Sequence, residues 1–283
     1  MDKSKISFVV DVSANTGGRK LTSPVPKVIT ISRVLRLGST IFILLLWEAF
    51  ARAGLVESYI LPAPSVVFQT LFSLLISGEL LPHIYMSLFR ALTGFFIGSI
   101  LGILLGLVMG WSRFVENVSD IPFQVLRAIP KPALVPLFIV WFGLGEFPKI
   151  LLISLTSFIQ CTINTMAGVR SVDITMIKAA RVLGAQDWQI LKEIVIPVAS
   201  PMIFAALRLG VVVSLVLLII VEITGAREGL GYFIRNTQEL FLIDQMFAGI
   251  ITIAIFGYTM DWTIRKIQDR VLLWHRGIVA ARI

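Results

Sequence analysis

Arg127 and Lys131 stand four residues apart in an otherwise apolar stretch punctuated by Pro122, Pro130, Pro132 and Pro136. If that stretch is helical, the two cations share one face and together can accept an anion. A plainer role is also open, in which each snorkels toward charged headgroups or pairs with Asp120 or Glu116. Glu222 is the acid of another apolar run, and a carboxylate so placed is a candidate for solute contact or gating. The alternative is an acid at the end of its run that reaches interfacial water. Arg208 lies on the same run but about four turns away, too far along a helix to pair with Glu222 directly. His83 opens a further run, as a proton relay or simply as a solvated imidazole. Cys161 is the only cysteine, so the chain has neither an intrachain disulfide nor a cysteine metal cluster. No Gly-x-x-x-x-Gly-Lys-Ser/Thr phosphate loop is present. Only 2 His occur, neither near another polar cluster, so no catalytic constellation is visible.

The elements that carry these residues are too apolar for water. Of 283 residues, 57% are hydrophobic and 15% charged, against roughly 25% charged in an average soluble domain. Mean hydropathy is +0.89. Disorder is excluded by the same abundance of aliphatic and aromatic side chains. A spanning helix needs about 20 mostly apolar residues. Six runs qualify: Leu37–Ala53, Ile84–Trp111, Ile121–Phe142, Ile150–Val169, Pro197–Thr224 and Met246–Trp262. The third, with its prolines and two cations, and the fifth, with Arg208 and Glu222, are the least simple spans.

The net charge of +8 then becomes a map. Seventeen of the 25 Lys and Arg fall before the first run, between the second and third, between the fourth and fifth, or after the sixth. Four fall on the opposite side, and Arg90, Arg127, Lys131 and Arg208 lie within runs. Cations collect on the cytoplasmic side, so both termini are expected there. The charge excess needs no nucleic-acid partner. The first 36 residues are polar and basic, too long and without a small-residue cleavage site for a signal peptide.

Three segments add detail. Pro64–Ile76 places Val67, Leu71, Leu74 and Leu75 at helical spacing and reads as a packing helix on the outer side. The tail mixes Ile267, Leu272 and Trp274 with Arg265, Lys266 and Arg270, as an interfacial anchor would. Gly94, Gly98, Gly102, Gly106 and Gly110 recur every four residues, which draws a stripe along one helix that another helix can approach closely. The stripe serves either a tight bundle or a subunit contact.

Between the fourth and fifth runs, residues 171–196 read as two short helices. The first is Ile174–Leu183, with Ile174, Ile177 and Leu183 toward one side. Gly184 then supplies a left-handed end, and Asp187 is the expected cap of a second helix that meets Pro197. Trp188, Ile190 and Leu191 make this hairpin more apolar than a plain loop needs.

Lys178-Ala179-Ala180, three residues, Gly184, nine residues, then Ile194-Val195-Ile196-Pro197 resembles the "EAA" loop of ATP-binding-cassette (ABC) importer permeases. Lys178 stands where that pattern has Glu, and Ile196 where it has Leu. Leu61-Pro62-Ala63-Pro64, Ser87-Leu88-Phe89-Arg90, Ile129-Pro130 to Trp141-Phe142-Gly143-Leu144-Gly145, and Glu222-Ile223-Thr224-Gly225 to Gly229-Leu230-Gly231 look like the nitrate/sulfonate/taurine/bicarbonate-type subfamily.

The resemblance implies an all-α membrane protein with six transmembrane helices, a type I (MetI-like) permease core and a cytoplasmic coupling hairpin. It implies residues 1–36 as a cytoplasmic tail and 37–79 as the first span with the external helix. Residues 80–269 become the permease domain and 270–283 a second cytoplasmic tail. It implies a multi-pass bacterial inner-membrane subunit without catalytic activity or cofactor, the ATP being used by a partner. Partners would be a second permease copy, two ATP-binding cassette subunits, a periplasmic or lipoprotein solute-binding protein and the bilayer. ATPase coupling falls to Ala179, Ala180, Gly184, Asp187, Trp188, Leu191 and Pro197. Gly225–Gly231 becomes a tight external turn near the outer gate. The path candidates remain Arg127, Lys131 and Glu222, with a small anion as solute, or else a vitamin precursor or aromatic compound. An ion-coupled transporter would favour broken helices in two inverted halves, and no second half matches the proline-rich third run.

Overall fold

Proline and glycine set most of the helix boundaries. The computed structural model describes residues 25–54, 57 and 60–272, with side chains from residue 38 onward. Every regular element among them is helical. In chain order these are α1 (Val25–Arg52), α2 (Pro64–Ile76), α3 (Leu81–Trp111), α4 (Arg113–Ala128), a 3₁₀ turn (Lys131–Ala133) and α5 (Leu134–Phe142). Then come α6 (Glu146–Arg170), α7 (Ile174–Val182), α8 (Asp187–Ile190), α9 (Ile196–Gly225), α10 (Leu230–Glu239) and α11 (Ile243–Val271). The chain divides at Ala49–Phe50 into two units. The first holds most of α1, whose described side chains from Ile41 to Leu46 are all exposed and apolar.

In the second unit, four helices are long and apolar enough to cross a membrane: α3, α6, the continuous stretch Asp187–Gly225, and α11. Helices α4 and α5 make a fifth only if their 76° bend is counted within one span. The proline-rich run is therefore not the simple span its apolarity suggests. Pro130 drives Ile129 out of the helical region, to ψ 125°, and both residues are extended. Pro122, by contrast, is absorbed within α4. The expected first span, Leu37–Ala53, falls inside α1 except for Ala53, one residue past its end; the tail before Val25 and Trp274 lie outside the described residues.

The glycine stripe packs within the chain, against α6. A Cβ at Gly94 would sit 2.7 Å from Ile153, and one at Gly106 would sit 2.7 Å from both the Thr162 carbonyl and Thr165. At Gly98 and Gly102 it would collide with the Ser154 and Phe158 carbonyls. Backbone thus meets backbone along the α3–α6 seam, where dispersion and not the hydrophobic effect drives association in lipid. Ala91, Phe95 and Ile153 continue this core to Val211, Leu215 and Leu218 on α9. Helix α2 buries Val67, Leu71 and Leu74 against Leu230, Phe233 and Ala248 of α10 and α11, while Leu75 stays 37% exposed. Thr70 also donates to Asp244 at 2.9 Å, so α2 is a packing helix.

Candidate functional site

The hairpin forms at one end of α6. Asp173 caps α7 by accepting the Thr175 N–H at 2.8 Å, which also holds its carboxyl below the usual range. At the other end, Ala185 N–H returns to the Ala180 carbonyl and Gly184 N–H to that of Arg181, both at 3.0 Å. This pair of bonds closes the helix as a Schellman turn, with Gly184 at φ +85°.

The start of α8 differs from expectation. Gln186 is the cap, in reciprocal bonds with Gln189, and Asp187 instead accepts from Arg181 at 2.9 Å. Nor is the second helix separate. It passes through a π turn at Leu191–Val195 into α9. The expected docking residues split accordingly. Ala179, Trp188 and the neighbouring Val182 and Leu183 are exposed, the last two by more than four-fifths. Ala180 and Leu191 pack inward with Ile177 on Val169, Ile190 and Val195, while Pro197 begins α9. Ile174 and Leu183 face outward and do not join Ile177.

Arg127 and Lys131 do not share a helical face, because α4 ends between them. Lys131 Nζ turns back on that end and donates to the carbonyls of Leu126 (2.8 Å), Arg127 (2.8 Å) and Ile129 (2.7 Å). These are carbonyls that a helix terminus leaves without partners. Neither cation takes Asp120 or Glu116: Asp120 accepts from Gln124, and Glu116 pairs with Arg170. Both cations line a cavity of about 300 Å³ between the break, α6 and α9.

Glu222 is not part of that cavity and does not reach interfacial water. Its exposure is 0%. It accepts from Arg90 Nη1 at 2.8 Å and from the Gly231 N–H at 2.8 Å, and Ser87 Oγ lies 2.8 Å from each carboxylate oxygen. Arg90 extends the cluster. It donates to the Glu228 carbonyl at 2.6 Å and, through Nε and Nη2, to Glu146, which also accepts from Lys149 at 2.9 Å. Two acids and two bases from α3, α6 and α9 thus balance one another. The cluster also caps α10: Leu230 N–H goes to Ser87 (2.7 Å), Gly231 N–H to Glu222, and Gly229 N–H to His83 Nδ1 (3.1 Å). His83 is therefore an acceptor in this cap and is not simply solvated. A carboxylate at a helix N-terminus also meets the positive end of the helix dipole. At Gly229 (φ +125°) a Cβ would collide with the Glu222 carboxylate.

Ser87, Arg90, Glu146, Lys149 and Gly229 thus join Glu222, although their types and spacing alone do not single them out as a site. Arg208 finds Asp261 of α11 at 2.9 Å. Among the described residues no three His, Cys, Asp or Glu side chains form a group able to hold a metal.

Comparison with known proteins fits this architecture. The "Binding-protein-dependent transport system inner membrane component" family matches residues 98–273. The taurine transport system permease protein TauC of Escherichia coli K12 is 31% identical over 275 residues, 95% of this chain and 98% of its own. A Bacillus subtilis chain described as a candidate aliphatic sulfonates transport permease, SsuC, is 36% identical over 83% of this chain and 85% of its own. The riboflavin transport system permease protein RibX of Chloroflexus aurantiacus is 33% identical over 88% and 94%. The inward-facing MetNI methionine ABC transporter shares the fold, with a TM-score of 0.60 at 18% identity over 68% of this chain and 95% of that one. The chain thus belongs to the binding-protein-dependent inner membrane permeases, the multi-pass, non-catalytic subunits of ABC importers whose ATPase activity lies on partner chains.

Proposed function

We propose that this chain forms the solute pathway of an importer for a small anion such as a sulfonate, taurine, nitrate or bicarbonate. Two copies would pair, each with six spans and both termini in the cytoplasm, and the hairpin at residues 173–195 would be gripped by an ATPase subunit. A solute-binding protein would deliver from the outer face, near the turn at Gly225–Gly231. In this reading the path passes Arg127 and Lys131, while Glu222 acts from behind it by holding the outer turn in place.

The observation that carries the reading is the hairpin. A Schellman-closed helix presents Ala179, Val182, Leu183 and Trp188 to solvent at the basic end of the molecule, a surface with no use in an isolated chain. Aromatic and aliphatic side chains fixed in this way are what a partner's groove buries. The sulfonate and taurine relatives favour an anion. RibX supports a second reading, an aromatic solute.

Gly184→Val tests the coupling. A β-branched residue at φ +85° costs about 1–2 kcal/mol and distorts the turn. ATP-driven uptake and co-purification of the ATPase should fall by about tenfold, equivalent to about 1.4 kcal/mol of lost docking, at unchanged permease abundance. Undiminished co-purification and uptake would remove the hairpin from the coupling. Uptake of labelled taurine, nitrate, bicarbonate and riboflavin by the reconstituted importer then separates the solute classes.

A further inference from the structure

We propose that Arg127 and Gln160 form an anion-reading pair on the wall of a water-filled cavity midway across the membrane. This rests on the importer reading only in that the cavity lies on the solute's route.

Depth follows from position along the helices. Gln160 is about 21 Å from the Glu146 end of α6 and about 15 Å from the Arg170 end, taking 1.5 Å per residue. Val216, on the facing wall, is about 30 Å from the Ile196 end of α9 and about 14 Å from its Gly225 end on the same rise. The cavity holds about 300 Å³, at the lower end of the range for small-molecule sites.

Charge makes it selective. Arg127 is exposed and has no ion-pair partner among the described residues. The nearby acids are engaged elsewhere: Glu116 with Arg170, Asp120 with Gln124, Asp261 with Arg208, and Glu146 and Glu222 with Arg90. An uncompensated guanidinium is costly at the bilayer centre. Water or an anion in the cavity relieves that cost; hydrocarbon does not.

The remaining polar groups are mostly taken. Lys131 contributes charge, but its three N–H bonds go to backbone carbonyls. The Thr156 hydroxyl donates to the Leu152 carbonyl at 3.0 Å. The Gln160 carboxamide has no partner among the described residues, so the guanidinium fork and this amide are the donors left for an oxyanion. The apolar wall of Ile159, Ile163, Val213 and Val216 suits a short organic stem behind that head.

The test uses the importer assembled with its ATPase in vesicles. A Val216→Cys thiol is labelled with two methanethiosulfonates of similar size, one ending in a sulfonate and one in a trimethylammonium. Buried Cys161 in the unsubstituted importer gives the background. The sulfonate reagent should react faster. Adding Arg127→Gln should lower the anion-to-cation rate ratio by about tenfold or more, as removing a unit charge from a partly desolvated site requires. Arg127→Lys should restore the ratio, which excludes misfolding as the cause, and Gln160→Glu, adding an opposing charge to the same wall, should lower it. An unchanged ratio in Arg127→Gln, or a Val216→Cys thiol that neither reagent reaches, overturns the proposal. An unchanged ratio in Gln160→Glu removes Gln160 from the pair. ATP-driven uptake measured on the same vesicles separates these outcomes from failure of the importer reading, since the labelling rates need no transport.

Discussion

Arg90→Ala should leave little folded permease in the membrane, and Glu222→Ala should rank next. Breaking a buried ion pair by removing one partner costs about 3–5 kcal/mol, comparable to the whole stability of a marginal domain. The order follows from what each change strands. Without Arg90, Glu146 and Glu222 are left with Lys149 as the only cation of the cluster, and the Glu228 carbonyl loses its donor. Without Glu222, Arg90 still has Glu146, so the loss is smaller, although Gly231 N–H and Ser87 lose their acceptor. Glu146→Ala should cost least, because Glu146 is 38% exposed and water can replace part of what it gives. Thermal midpoints of detergent-extracted protein should follow that ranking. The double variant Arg90→Met/Glu222→Leu should recover stability relative to Arg90→Ala, since an apolar pair leaves no orphaned charge. A Glu222→Ala protein that melts like the parent, or Glu146→Ala as the worst of the three, would show that the cluster does not hold this end of the helices together.

Gly98→Ala is the second severe change expected, although it adds a single methyl group. Overpacking a core costs about 1–3 kcal/mol when side chains can shift. Here the new atom runs into the Ser154 carbonyl, and backbone cannot rotate aside. Helices α3 and α6 must separate along the seam, losing dispersion contacts at Gly94, Gly102 and Gly106 as well. Gly210→Ala is the matched control, since its Cβ would rest 3.4 Å from the Phe95 ring, an ordinary contact. Extraction yield and melting should collapse for the first and hold for the second. Equal behaviour of the two would mean that the stripe tolerates separation.

Features whose partners lie close in sequence, or repeat with a helical period, are legible from the residues alone. The stripe declares itself by its four-residue repeat. Gly184 and the helices around it are fixed by local rules of helix ending, and the break at Pro130 by the steric demand of proline on Ile129. The partner of Glu222 is hidden, because helical spacing ranks only neighbours on the same helix, where the one cation, Arg208, is too far along to pair, whereas Arg90 is 132 residues away. Arg208 in turn is taken by Asp261, 53 residues on. The conditional shared face of Arg127 and Lys131 fails for the opposite reason: a four-residue spacing implies one face only if the helix continues, and Pro130 ends it. At the hairpin, intrinsic capping preference favours Asp187, but Arg181 claims its carboxylate and the Gln186–Gln189 exchange satisfies the backbone.

Because α8, the π turn and α9 are continuous, Asp187–Gly225 is one rod about 58 Å long, counting 1.5 Å for each of its 39 residues. Trp188 stands at one tip, and Glu222 within a turn of the other. The regular ladder of helical hydrogen bonds is interrupted only near the Trp188 tip, by the wide turn at Leu191–Val195 and by Pro197 and Pro201. In the proposed coupling the rod would act as a lever with its joint beside the handle. A pull on the hairpin would be absorbed first as a bend between residues 191 and 201, and only a larger displacement would reach the far tip, where Glu222 joins Arg90 and the cap of α10.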